Sequence, residues 1–283
     1  MTEIYGRAGS GKTQLAMQLC VAAAAQQGLA SAFIDTEGKF SLERLEEIAV
    51  AVTARQEGNG TTLDPNSRHL FYGSRVLHQG VRESLSRMLL YSANNADELR
   101  SVLSAVEIEA CARCDPDNEY NGQYRQPPLG IIVLDSIASP ARRDFGKGDA
   151  ASRAQFVMDC AKTLKRIAES LNLAVVVINQ IGGATIQSES KGDEEKVTTP
   201  VDGATGALGN SWHYCATTRL KIETKGPTDA ANGGQVREIV VMKSSLLRRG
   251  TTSYVRLSQD GFKDVPQGLL DDGAKEGNVL RCN

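Results

Sequence analysis

Hydrophobic positions along this chain change period repeatedly, and the changes mark out its elements. A short strand-like stretch, Glu3-Ile4-Tyr5, is followed by a helical run from Gln14 to Ala25 with Leu15, Ala16, Leu19, Cys20 and Ala23 at helical spacing. Gly28 is a natural stop for that helix. A second strand reads Ala32-Phe33-Ile34-Asp35, after which Ser41 can cap a helix from Leu42 to about Val52. Helical patterning returns over Gln79–Ser92 and Ala96–Glu109. The run Ile131-Ile132-Val133-Leu134 ends on Asp135, a helix is predicted from about Ala151 to Ser170, and a strand from Leu173 to Ile178. Strands without polar alternation are what a sheet buried on both faces requires.

This alternation of helix and strand predicts an α/β fold with a mainly parallel twisted sheet flanked by helices. Beyond Ala207 the pattern changes to alternating strands at Thr218–Glu223, Val236–Met242 and Thr252–Leu257, an antiparallel C-terminal extension. Polar, Gly/Asn/Pro-rich stretches at 56–68 and 115–128 read as surface loops, and 268–283 as a polar, disordered tail behind a core spanning 1–267. The residues ahead of Gly6 are too few for a signal peptide, and no apolar run reaches the ~20 residues of a membrane span. A soluble, intracellular chain with no membrane partner is the expectation.

Between the first strand and the first helix lies Gly6-Arg7-Ala8-Gly9-Ser10-Gly11-Lys12-Thr13, an unbroken G-x-x-x-x-G-K-[ST] followed by Gln14. Glycines let successive backbone N–H groups converge on one anion, and the helix dipole adds positive potential there. Lys12 is placed to reach the β- and γ-phosphates and Thr13 to ligate Mg²⁺. Asp135, at the end of an apolar strand, is the expected holder of metal-bound water. Ser136 follows it and cannot act as base, so Glu37, just past the second strand, is the candidate that activates water. Gln180, with Asn179 at the end of the fourth predicted strand, can sense the γ-phosphate and report its loss to the following loop.

Charge adds little to this picture. There are 32 Lys and Arg against 34 Asp and Glu, a net charge of −2, so any polyanion site must be a local patch. A basic, Gly-rich loop, Arg142 to Gly148 with Arg142, Arg143 and Lys147, and Arg153 nearby, is one such patch. The segment from Ile181 to Gly206 is acidic and lacks aromatic residues to stack on bases. The six cysteines are scattered, and Cys111 and Cys114 have no second pair at metal-finger spacing. Trp212, His69, His78 and His213 read as packing or surface residues.

Several motifs in register resemble the RecA-type recombinase core: Gly6 to Thr13, Ile34 to Gly38 with Glu43-Arg44-Leu45, Leu134 to Ala138, Ile178-Asn179-Gln180 and Ala207 to Trp212. The similarity is to the eukaryotic branch, the RecA-like strand-exchange recombinases and their paralogues. The stretches Asp135–Ser139 with Arg142–Phe145, and Ala207–Trp212 with Thr218-Arg219-Leu220, are most like its B-type paralogue. The resemblance spans roughly residues 2–265. It implies a DNA-dependent ATPase of homologous recombination and double-strand-break repair in the nucleus, using ATP and Mg²⁺. It also implies single-stranded DNA and recombinase paralogues, or the recombinase itself, as partners. The segments after Pro140 and after Gln180 correspond to the family's DNA-facing loops. The small helical domain and linker that the family places before its phosphate-loop strand have no counterpart in residues 1–5, so docking through that linker's aromatic hook is not expected here.

Overall fold

The computed structural model describes residues 1–56, 79–115, 126–146, 148–181, 208–225 and 234–265. Nine strands form one sheet: β1 (Thr2–Gly6), β2 (Ala30–Asp35), β3 (Met88–Ser92), β4 (Leu129–Asp135), β5 (Ala174–Gln180), β6 (Thr218–Thr224), β7 (Gly234–Lys243), β8 (Thr252–Ser258) and β9 (Gly261–Asp264). Their order is β3-β2-β4-β5-β1-β6-β7-β8-β9. From β3 to β6 neighbours run parallel, and from β6 to β9 antiparallel.

The helices are α1 (Lys12–Gln27), α2 (Leu42–Gln56), α3 (Gln79–Ser86), α4 (Ala96–Cys114), α5 (Ala138–Asp144), α6 (Ala150–Ser170) and α7 (Gly209–Cys215). Three of their ends have a plain local cause. Gly28 adopts φ 67° at the C-cap of α1 and donates its N–H to Ala24 O. The Ser41 hydroxyl accepts from Arg44 N at 3.2 Å at the start of α2. Asn95 does the same for Glu98 N at 2.8 Å in α4, a cap worth about 1 kcal/mol.

Successive strand residues face opposite ways, and both faces are covered. Ile4, Phe33, Val133 and Ile178 join α1, α2 and Val81 of α3 in one core, while Ile34, Leu134, Val175 and Val177 join α4, α5, α6 and Trp212 of α7 in the other. Each fully buried side chain of this size stabilises the fold by about 1.5–3 kcal/mol. The doubled core is why these strands lack polar alternation.

Two expectations need correction. The helix expected over Gln79–Ser92 ends at Ser86, and Met88–Ser92 is a parallel strand on β2, with Ser31 opposite Met88 and Asp35 opposite Ser92. Met88-Leu89-Leu90-Tyr91 suits either state locally, and pairing with β2 decides it. The basic loop expected from Arg142 begins instead as helix: Arg142 and Arg143 occupy the last turn of α5.

Trp212 and His213 also have a setting that the sequence hides. The Glu3 carboxylate, fully buried in β1, accepts Asn179 Nδ2 at 2.8 Å, Trp212 Nε1 at 2.9 Å and the Arg219 guanidinium. Arg219 in turn donates to His213 Nδ1 at 2.6 Å. A buried ion pair with its remaining lone pairs satisfied thus joins β1, β5, β6 and α7. His69 and His78 lie outside the described residues.

Candidate nucleotide site

Four strands deliver the candidate residues to one edge. β2, β4, β5 and β1 are contiguous, with Asp35 opposite Asp135 and Gly6 opposite Gln180 at their carboxyl ends. Ligands of open α/β sheets sit at this edge, where strand order reverses.

The phosphate loop runs from β1 into α1. A side chain at Gly6 would collide with Ile222 O at 2.2 Å, and Gly11 has φ 97° with Leu257 Cδ2 2.8 Å from where a Cβ would stand. Only glycine meets both demands. Arg7, Ala8 and Gly9 are exposed and Ser10 is buried. Lys12 Nζ donates to Gly6 O at 3.0 Å and Arg7 O at 2.8 Å. Burial lowers the Lys12 pKa, against the opposing pull of Asp135 and Glu37. The side chain of Gln14 is committed elsewhere: its Oε1 accepts Arg44 Nε at 3.1 Å and Nη2 at 2.8 Å. Its main chain remains available to a phosphate.

Thr13 Oγ1 donates to Asp135 Oδ2 at 2.5 Å. Burial pushes the Asp135 carboxyl up to about 6, with the Thr13 hydrogen bond opposing and Glu37 and Asp35 adding to the rise. The Thr13 hydroxyl and the Asp135 carboxylate set two oxygen donors side by side. That donor chemistry suits Mg²⁺, which takes one or two protein oxygens and completes its shell with phosphate and water, so the residues present fit the ion.

Glu37 is held in place from both sides. The Asp35 carboxylate accepts the N–H groups of Glu37, Gly38 and Phe40 at 2.9, 2.9 and 3.0 Å, which fixes the turn. Glu37 Oε1 accepts Ser136 Oγ at 3.0 Å and Gln180 Nε2 at 2.9 Å, and Oε2 accepts Lys39 Nζ at 2.6 Å. Burial raises its pKa, but the Lys39 and Ser136 hydrogen bonds outweigh that and the net shift is downward. Thr36 closes the arrangement: its Oγ1 donates to Ser136 O at 2.6 Å and accepts Ser136 N at 2.8 Å. Lys12, Thr13, Glu37, Asp135 and Gln180 thus meet as a cluster, whereas Asn179 turns to the opposite face and Glu3.

Thr36 and Lys39 flank Glu37 closely enough that proximity alone was a signal for them. Arg237 had none: from β7 it donates to Ser10 O at 2.9 Å, 227 residues away in the chain. The basic residues are dispersed. Arg143 donates to Thr36 O and, at 2.7 Å, to Ser139 Oγ, which ties it to the site's turn. Arg142 is exposed and makes no hydrogen bond among the described residues, and Arg153 is half-buried in the first turn of α6. Lys147 lies outside the described residues, as do 182–207, which hold nearly all of the acidic segment, and the tail. No helix among the described residues is long and apolar enough to cross a membrane.

Human DNA repair protein RAD51 homolog 2 is 27% identical over 87% of this chain, which spans 59% of that protein's length. Bovine DNA repair protein XRCC3 is 26% identical over 94% of the chain and 69% of its own length. A RadB recombinase crystal structure superposes with a TM-score of 0.58 at 22% identity, covering 94% of this chain and 90% of the other, and so shares the RecA-like fold. The sequence model of the Rad51 family matches residues 1–59 and 118–265, more than half of the chain and every strand except β3. On that match the chain belongs to the Rad51 family.

Proposed function

We propose that this chain is a MgATP-dependent ATPase of homologous recombination and double-strand-break repair. In this reading it binds single-stranded DNA in the nucleus and works with recombinase paralogues or with the recombinase itself. The observation that carries the reading is the convergence of Lys12, the Thr13–Asp135 pair and the Glu37–Gln180 pair at one sheet edge.

The roles follow from chemistry. The loop N–H groups and Lys12 bind the β- and γ-phosphates once Lys12 leaves the carbonyls of Gly6 and Arg7. Thr13 and Asp135 hold Mg²⁺, which when bound neutralises charge on the phosphate oxygens. Glu37, ionised at neutral pH, accepts a proton from the attacking water. Gln180, bonded to Glu37, exchanges that contact for the γ-phosphate and passes the change to the segment that follows it. Family membership supports DNA repair as the setting, and the exposed Arg142 supports a phosphate contact.

The test is MgATP turnover with and without single-stranded DNA. Glu37→Gln is expected to lower turnover about 10²-fold or more while nucleotide binding persists. Unchanged turnover in that variant sinks the assignment of the base. A second reading rests on the three donors that tie Glu37: a nucleotide-gated assembly module with negligible turnover. Tight MgATP binding with no hydrolysis, with or without DNA, would select it.

A further inference from the structure

Two arginines of the sheet are buried, and their surroundings differ. Arg219 is paired with Glu3. Arg237 on β7 is only 5% exposed, yet among the described residues it has no carboxylate partner. Its Nε donates to Ser10 O at 2.9 Å, one Nη to Gly9 O at 3.5 Å and the other to Val236 O at 3.3 Å. Every partner is a main-chain carbonyl, and two of the three belong to the phosphate loop. Burial pushes its pKa down, with no offsetting charge among the described residues. An uncompensated buried cation is costly, so its retention behind an anion cradle is informative.

Geometry says what it does there. A trans peptide is planar, so the C=O of one residue and the N–H of the next point in opposite directions. The guanidinium that holds Ser10 O from behind therefore turns the Gly11 N–H toward the mouth of the loop. Leu257 and Phe262 also close off the side of Gly11 where a Cβ would stand, at 2.8 and 3.0 Å from that position. Phe262 is itself fixed to α1, with Gln18 accepting its N–H at 2.6 Å and donating to its carbonyl at 3.0 Å.

We propose that Arg237 is a positioning residue for polyphosphate: it orients the Gly11 amide and supplies a buried positive charge, unpaired with any carboxylate among the described residues, that an anionic ligand in the loop would neutralise. The inference rests on the nucleotide reading above. It requires no contact between Arg237 and the ligand, and its contribution grows with the ligand's phosphate charge.

The test is calorimetric titration of MgATP, MgADP and adenosine into wild type, Arg237→Lys and Arg237→Gln, each first shown to melt cooperatively. Expected are a loss of about tenfold in MgATP affinity for Arg237→Gln, a smaller loss for MgADP, and none for adenosine. Arg237→Lys, which keeps the charge, is expected to stay within about threefold of wild type for MgATP. Equal losses for adenosine and MgATP would show general loosening and overturn the proposal, as would unchanged MgATP affinity in the Gln variant. Should the Gln variant not fold, a loss beyond about tenfold in the Lys variant overturns it, and retention supports it. Absence of MgATP binding by wild type overturns the nucleotide reading itself, and this inference with it.

Discussion

Asp135 carries a charge that burial penalises and a cation would welcome. Among the described residues Thr13 is the one side chain that donates to its carboxylate, and burial raises that carboxyl from 3.8 to about 6. For a metal-free chain the sign is fixed. The folded state binds this proton more tightly than the unfolded chain, so the contribution to stability is fully present below pH 3.8 and is lost as pH rises to about 6. Asp135→Asn removes that slope. In chelator, urea unfolding should show the variant matching wild type near pH 4 and exceeding it by about 2–3 kcal/mol above pH 6. A constant difference across this range would mean that Asp135 is not the titrating group. Residues of this kind were legible because their context is local: Gly6–Thr13 sits within one turn, and Glu37 and Asp135 each follow an apolar strand. Arg237 and Glu3 were not legible, because each sits within an ordinary strand pattern and the partners that give it meaning lie far away in sequence.

Among the elements, α5 departs furthest from expectation. Pro140 lies in its first turn, where a missing N–H costs nothing, and the glycines that suggested a loop come after its end. Making Ala138–Asp144 helical sends neighbouring arginines in different directions. Both are exposed, but Arg143 reaches back to Thr36 and Ser139, while the Arg142 side chain makes no hydrogen bond among the described residues. Arg143→Ala should therefore lower stability by about 1 kcal/mol through the freed Thr36 carbonyl. Arg142→Ala should leave stability unchanged but weaken single-stranded DNA binding and reduce its salt slope by about one ion. Thermal melts and salt titrations separate the two, and identical behaviour of both variants would refute the division. Strand β3 was hidden for another reason. An edge strand of five residues directly after a helix of eight offers too little periodicity to announce the change.

On the scale of the whole molecule, the Glu3 network links segments that local reasoning treats separately: the strand entering the phosphate loop, the strand ending in Gln180, and α7. Arg219 also stacks over the Tyr5 ring at 4.7 Å. Glu3→Gln leaves that arginine buried without its counter-charge, and should cost about 3 kcal/mol in urea unfolding. Glu3→Gln combined with Arg219→Met should recover part of the loss, since both charges are then gone. Additive losses in the double variant would show that the two side chains act independently.

The placement of β1 has a consequence for how the molecule is made. Its neighbours in the sheet are β5, beginning at Ala174, and β6, ending at Thr224, while the brace at Arg237 comes later still. A ribosome releases the phosphate-loop residues long before the strands that flank them. Until those strands emerge, Gly6–Thr13 is a glycine-rich peptide without the scaffold that shapes it, and its non-local pairings form late and slowly. On the nucleotide reading proposed above, nucleotide would not act as an early nucleus for this chain: only a domain with those flanking strands in place would capture it, and binding would report that they have folded.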